Sequence, residues 1–226
     1  MTYGSVCEGV FLARPNRFVA LVELGGREEL VHVKNTGRCE ELLVPGARVY
    51  LSRAEGGSRR TRYDLVAVWK GERLINMDSQ APNRAFLEYL RAGRHIGGIT
   101  RLRPETTYGG SRFDFYVEAG ERKIFIEVKG VTLEREGAAL FPDAPTLRGV
   151  KHLGELSRCA HGGFEAQMAF VIQMDNVRSF APNNAVQPAF GAALTAAAAA
   201  GVKLFALDCA VTPDSMTIGN PVPVIL

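Results

Sequence analysis

The segment 111–132 reads Ser-Arg-Phe-Asp-Phe-Tyr-Val-Glu-Ala-Gly-Glu-Arg-Lys-Ile-Phe-Ile-Glu-Val-Lys-Gly-Val-Thr, with polar and apolar residues alternating on either side of a glycine turn. Alternation at period two puts Arg112, Asp114 and Tyr116 on one face of a strand, and Phe113, Phe115 and Val117 on the other. In the next strand Phe125, Glu127 and Lys129 share a face opposite Ile124, Ile126 and Val128. Gly120-Glu121, with glycine in the first central position, suits a two-residue type II′ hairpin turn. That register sets Ala119 against Arg122, Val117 against Ile124, Asp114 against Glu127 and Arg112 against Lys129. Carboxylates directly opposite one another have Cβ atoms about 4.5–5.5 Å apart and repel unless a cation lies between them. Mg²⁺ or Mn²⁺ meets that need, because hard divalent ions take oxygen ligands from one or two carboxylates plus substrate phosphate. Asp114 and Glu127 are therefore the expected metal ligands. The Lys129 ammonium is placed to orient a water and to stabilise charge on a phosphate oxygen. Metal-assisted phosphodiester hydrolysis is the chemistry such a group performs. A Glu-x-Lys alone is common on solvated strands; the preceding aspartate and the apolar opposite face set this one apart. Glu105 is either a third acidic group of the site or a surface carboxylate.

Cationic groups follow at 141–153, Phe-Pro-Asp-Ala-Pro-Thr-Leu-Arg-Gly-Val-Lys-His-Leu. Asp143 or Thr146 can cap a helix expected over about 146–159, with Leu147, Val150, Leu153 and Leu156 as its buried stripe. Arg148, Lys151 and His152 lie in its first turns, where the helix dipole and free N–H groups also favour anions. They meet phosphate or form an ordinary solvated face; His152 is a phosphate donor or a partner for Glu155. Nearer the N-terminus, Arg14, Arg17, Lys34, Asn35 and Arg38 sit at expected strand ends. With Arg112, Arg148, Lys151 and His152 they make up the candidate nucleic-acid contacts. Arg53, Arg59, Arg60 and Arg62 form a further basic cluster in an expected loop, suited to phosphates or simply solvated. Phe11, Phe18 and Trp69 are expected in the core.

Short strands expected at Val6–Leu12, Arg17–Leu24, Glu29–Lys34, Ala47–Ser52, Asp64–Trp69 and Arg73–Met77 suggest a small OB-like barrel over residues 1–80, a fold that often binds oligonucleotides. Gly25-Gly26 and Pro45-Gly46 are its turn signals. Residues 81–226 then read as an α/β domain. A helix over 84–92 is expected to be capped by Asn83. Strands follow at 112–118, 123–131, 167–173 and 202–207, with helices at 146–159 and 188–200. The chain has 226 residues, a formal net charge of +3 and 46% hydrophobic residues, which permits nucleic-acid binding without arguing for it. The cysteines, Cys7, Cys39, Cys159 and Cys209, form no C-x-x-C pair and read as reduced thiols. Neither a signal peptide nor a membrane span is expected, since the Ala189–Val202 run is weakly apolar; the location expected is cytoplasmic.

The runs Asn16-Arg17-Phe18, Asn35-Thr36-Gly37-Arg38, Ser111-Arg112-Phe113-Asp114-Phe115, Glu127-Val128-Lys129, Phe141-Pro142-Asp143-Ala144 and Arg148-Gly149-x-Lys151-His152-Leu153-x-Glu155-Leu156 occur in order along the chain. Together they resemble the sugar fermentation stimulation protein A family nearly end to end. The resemblance implies an N-terminal OB-type domain joined to a restriction-endonuclease-like domain of the PD-(D/E)xK class. It also implies DNA binding and a link to the regulation of sugar metabolism. By position, Asp114, Glu127 and Lys129 match the nuclease signature, with Glu105 at an acidic position ahead of it. The chain departs at Pro145, where an aliphatic residue is expected, at Gly130, where Ser or Asn is usual, and at Gln187, where Asp is frequent.

Three functions compete. One is a Mg²⁺- or Mn²⁺-dependent nuclease acting on DNA. Another is a non-catalytic DNA-binding regulator. The third, a metabolic enzyme acting on a small phosphorylated or nucleotide substrate, is supported by no Walker loop, dinucleotide fingerprint or nucleophile elbow.

Overall fold

In the computed structural model the chain is described over residues 1–35, 37–54 and 60–226. The first part consists of β1 (Val6–Asn16), β2 (Val19–Leu24), β3 (Arg27–Val33), β4 (Arg48–Arg53), β5 (Tyr63–Lys70) and β6 (Arg73–Asn76). Each expected strand is present. Their order is β3-β2-β1-β4-β5-β6, and a parallel pairing of β3 with β5 closes the barrel. Gly25-Gly26 turns β2 into β3, with Leu24 opposite Arg27 and positive φ at both glycines. Side chains that point inward, among them Phe11, Val22, Val31, Leu51 and Leu65, are fully buried.

Helix α1 (Ala81–Arg91) leads into the second part. There follow β7 (Ile99–Tyr108), β8 (Ser111–Ala119), β9 (Arg122–Val131), β10 (Leu133–Arg135), β11 (Ala138–Phe141), α2 (Leu147–His161), β12 (Glu165–Ile172), β13 (Ser179–Pro182), α3 (Pro188–Ala199), β14 (Lys203–Thr212) and β15 (Ser215–Val222). The main sheet runs β15-β14-β12-β9-β8-β7, with β9, β12 and β14 parallel; β10, β11 and β13 form a small second sheet. Strand β7 has no sequence signal. It is a polar edge strand interrupted by Pro104 and pairs with β8 alone.

Apolar clusters pack on both faces of the main sheet. Phe86 and Leu90 of α1 cover Phe115, Val117, Ile124 and Ile126. On the other face Leu153, Leu156 and Phe190 pack with Phe113 and Phe125, in a cluster that continues into the barrel. Polar contacts join the two parts as well. Gln173 Nε2 donates to the Asn76 side chain at 2.9 Å and to the Asp78 carbonyl at 3.1 Å. Lys70 and Arg73 of the barrel pair with Glu134 of β10 at 2.9 and 3.0 Å. The four cysteines are free thiols. Among the described residues no helix is long and apolar enough to cross a membrane.

Three expectations need correction. Helix α1 begins at Ala81 after Gln80, with Pro82 in its first turn, so Asn83 lies inside the helix and does not cap it. Helix α2 is capped by Thr146, whose side chain accepts from the Gly149 amide at 3.0 Å. Its buried face is Gly149, His152, Leu153, Glu155, Leu156 and Cys159, rotated from the expected stripe, and Leu147 is 85% exposed. Two ionisable groups on a buried helix face call for partners, which the sheet supplies to one of them. Phe18 is 47% exposed, while Phe11 is buried as expected.

Candidate active site

The hairpin of β8 and β9 forms as its alternation dictates. Ala119 lies opposite Arg122, Glu118 opposite Lys123 and Val117 opposite Ile124. Positive φ at Gly120, and not at Glu121, is the signature of a type II′ turn. The ladder ends at Phe115–Ile126, so Asp114 is not a ladder partner of Glu127, nor Arg112 of Lys129. The next amide, that of Val128, donates to Asp114 Oδ2 at 2.7 Å. Past this point β9 stays paired with β12, from Met168–Glu127 to Ile172–Val131. The two strands therefore part at the acidic residues. Alternation along β8 also breaks there: Phe115 packs under α1, but Phe113 lies on the α2 side, its ring centroid 5.7 Å from Phe125.

Asp114 is half-buried. Its Oδ1 accepts from Asn83 Nδ2 of α1 at 2.7 Å. Burial first, and then the nearby Glu127 carboxylate, push its pKa up to about 6. Glu127 is 2% exposed. Its Oε1 accepts from Lys129 Nζ at 2.5 Å and from Nδ1 of His152, which reaches it from the buried face of α2. Burial raises the Glu127 pKa, but His152 and Lys129 outweigh it and hold the carboxyl below its ordinary range. The other oxygen, Oε2, is buried without a hydrogen-bond partner. Buried polar atoms in native proteins are almost always paired. An unpaired carboxylate oxygen beside a second carboxylate fits a divalent cation, and Asp114 with Glu127 would hold it. Among the described residues, no group of three or more His, Cys, Asp and Glu side chains gathers around a single metal position.

The structure thus brings together Asp114, Glu127, Lys129 and His152. It does not bring in Glu105, which is half exposed, has a φ of 54° and pairs with Arg112 at 2.6 Å. His152 contacts Glu127 and not Glu155; Glu155 pairs with Arg158. Arg148 is exposed and donates to His152 Nε2 at 3.4 Å, while Lys151 donates to the Gly110 carbonyl at 2.8 Å.

On the barrel, Arg14 donates to the carbonyls of Arg17, Asn35, Gly37 and Arg38, so its terminal nitrogens hold two loops together. Lys34 pairs with the fully buried Asp78 at 2.7 Å. Arg38 is exposed. The Arg17 guanidinium lies 4.7 Å from the centroid of the exposed Phe18 ring. Arg62 of the expected basic cluster pairs with Glu29, and Arg59 lies outside the described residues.

Comparison with known proteins identifies the family. A family model for the sugar fermentation stimulation protein RE domain matches residues 80–215, and one for the SfsA N-terminal OB domain matches residues 12–77. The chain belongs to the sugar fermentation stimulation protein family. A family homolog from Desulfitobacterium hafniense strain Y51 is 57% identical over 226 residues, covering 100% of this chain and 99% of its own. Another from Clostridium beijerinckii is 50% identical and covered completely on both sides. A solved structure described as Pyrococcus furiosus SfsA in complex with Ca²⁺ matches with a TM-score of 0.91 at 29% identity, covering 100% of this chain and 98% of that one. The barrel is therefore the OB domain of this family, followed by its α/β domain.

Several of these residues were named in the sequence, but their roles were not legible there. Asn83 gave a helix-capping signal, and its role on Asp114 depends on packing across the sheet. His152 gave a signal for phosphate; its spacing with Leu153 and Leu156 would have placed it on the buried face. Gln187, where the family often has Asp, still braces the start of α2, since its Oε1 accepts from the Thr146 amide at 2.7 Å. At Gly130 a Cβ would stand 2.5 Å from Gln173 Oε1 and 2.7 Å from Pro82 Cγ, so a larger residue would force these two side chains to move.

Proposed function

We propose that the protein binds DNA across its barrel and the mouth of the parted hairpin, and that Asp114, Glu127 and Lys129 carry out metal-dependent hydrolysis of a phosphodiester. The observation that carries this reading is the buried, unpartnered Oε2 of Glu127 beside Asp114, with a lysine on the same carboxylate. Asp114 and Glu127 would hold Mg²⁺ or Mn²⁺, which when bound would supply Lewis acidity toward a phosphate oxygen. The Ca²⁺ in the P. furiosus relative is a cation of the same oxygen-seeking class. Lys129 orients the attacking water and offsets charge growing on the phosphoryl oxygens. His152 keeps Glu127 aimed and ionised. Asn83 and the Val128 amide fix Asp114 in the cleft. Arg148 and Lys151, on the first turns of α2, meet the flanking phosphates.

A DNA-binding regulator without turnover is the second reading. It is favoured by the exposed Arg17–Phe18 pair, a stacking platform that needs no acidic site. One experiment separates the two. DNA is incubated with purified protein and Mn²⁺, alongside Glu127→Gln and Lys129→Ala, and binding is measured in EDTA at two salt concentrations. Cleavage lost in both variants supports hydrolysis. Salt-sensitive binding without cleavage supports the regulator, and cleavage unchanged in the variants excludes this site.

A further inference from the structure

Beside the acidic site, a recess of about 340 Å³ opens between the barrel and the α/β domain. It starts at Gly130, the residue after Lys129, and reaches the barrel loop at Asn35. Gly130 lies three residues beyond Glu127 on β9, or about 10 Å at 3.3 Å per residue. Its volume is at the lower end of pockets that hold small molecules, about 300–1,000 Å³. No lysine or arginine lines it, and Asp143 does, so it suits no phosphate group.

What lines it suits a flat, hydrogen-bonding ring. Phe141, Pro142 and Ala144 give apolar walls. Asp143 has no cationic partner among the described residues, and an ionised carboxylate only accepts hydrogen bonds. Gln173 has its Nε2 engaged by Asn76 and Asp78, leaving Oε1 to offer. Asn35 uses its Oδ1 on the Gly37 amide, leaving its Nδ2 hydrogens. Two acceptors and one donor around a ring-sized space complement a base bearing an exocyclic amino group, with guanine best served by the carboxylate. The Asn35 loop is tied through Arg14 to the turn that carries Arg17 and Phe18, which sets a stacking surface on the same approach.

We propose that this recess is a base-reading pocket. It takes one unstacked, amino-bearing nucleobase of a single-stranded or locally opened polynucleotide, one or two nucleotides from the phosphate at Glu127 and Lys129. The inference rests on the phosphodiester reading of that site. Bases can be read on their edges only once they leave the stack, and a single recess takes a single base.

The test is fluorescence anisotropy in EDTA with the full chain. It compares an oligothymidylate with the same strand carrying one internal guanine, then two. The first guanine is expected to tighten binding about tenfold, the scale of one good base contact, and the second to add little. Asp143→Asn, which is isosteric, and Ala144→Phe, which fills the recess, are expected to lose the increment and keep the oligothymidylate affinity. Thermal melts establish that both variants are folded. An absent increment, or one that survives in both variants, overturns the pocket and leaves the acidic site standing. Failure of every oligonucleotide to bind overturns the pocket, and failure of DNA to be cut with Mn²⁺ overturns the acidic site.

Discussion

The Asp114 carboxylate accepts a hydrogen bond from the Val128 amide at 2.7 Å, capturing the donor that would otherwise extend the β8–β9 ladder. A side chain has taken the place of a backbone carbonyl. The strands separate there, and the cleft between them holds Glu127, Lys129 and His152. The event that ends the pairing is the same one that orients the acid.

Glu127→Gln and Lys129→Ala should each lower Mn²⁺-dependent DNA cleavage at least a hundredfold, the scale of losing one electrostatic partner of a transition state. Both variants should melt as folded proteins. Single-turnover cleavage rates check this, and rates within tenfold of the parent would falsify the assignment.

His152 is buried against Glu127, so in the proposed reading it is a positioning residue. His152→Ala should weaken Mn²⁺ affinity by about 10- to 100-fold, as losses around a metal ligand do. It should also cost about 1–3 kcal/mol of stability, because Glu127 stays buried with a partner missing. Calorimetric Mn²⁺ titration is the readout. DNA affinity in EDTA should stay unchanged, which separates this role from a phosphate contact.

Asp114 titrates at about 6 in the native protein, against an ordinary 3.8. The folded state keeps a proton that the unfolded chain releases near pH 4. Stability from this group is therefore full below about pH 4 and is lost as the pH rises through 6. In EDTA, Asp114→Asn should exceed the parent by about 3 kcal/mol at pH 8 and by little at pH 4. Urea unfolding at the two pH values decides; an equal difference at both contradicts the account.

Glu134 behaves in the opposite sense. Burial opposes its charge, but Lys70, the Gly137 amide and Arg73 prevail and hold it at about 2. Its contribution is present above pH 4.5 and is lost as the pH falls toward 2. Glu134→Gln should cost about 2 kcal/mol at pH 7 by leaving two cations short of a partner. It should also flatten the acid limb of the stability profile, as measured by chemical denaturation across pH.

Local signals were enough for much of this fold. Period-two alternation and one glycine located the β8–β9 hairpin and its register, because both are set by neighbours in the chain. Glu127 and Lys129 were legible for the same reason. The end of the ladder at Asp114 was not, since it depends on Asn83 arriving from α1, across the sheet. Nor was the burial of His152, which depends on how far α2 rotates to bury Leu153 and Leu156. Strand β7 carries too few apolar residues to register, being held by a single neighbour. Glu105 followed the family's spacing, but a left-handed backbone turned it toward Arg112.

Glu134 with Lys70 and Arg73, and Gln173 with Asn76 and Asp78, stitch the barrel to the α/β domain at separate points. A joint fastened in two places cannot swivel as one on a single hinge does. If the barrel grips a strand as proposed, that strand would meet Glu127 at a constant offset, and the molecule would measure a fixed length of polymer as a caliper does.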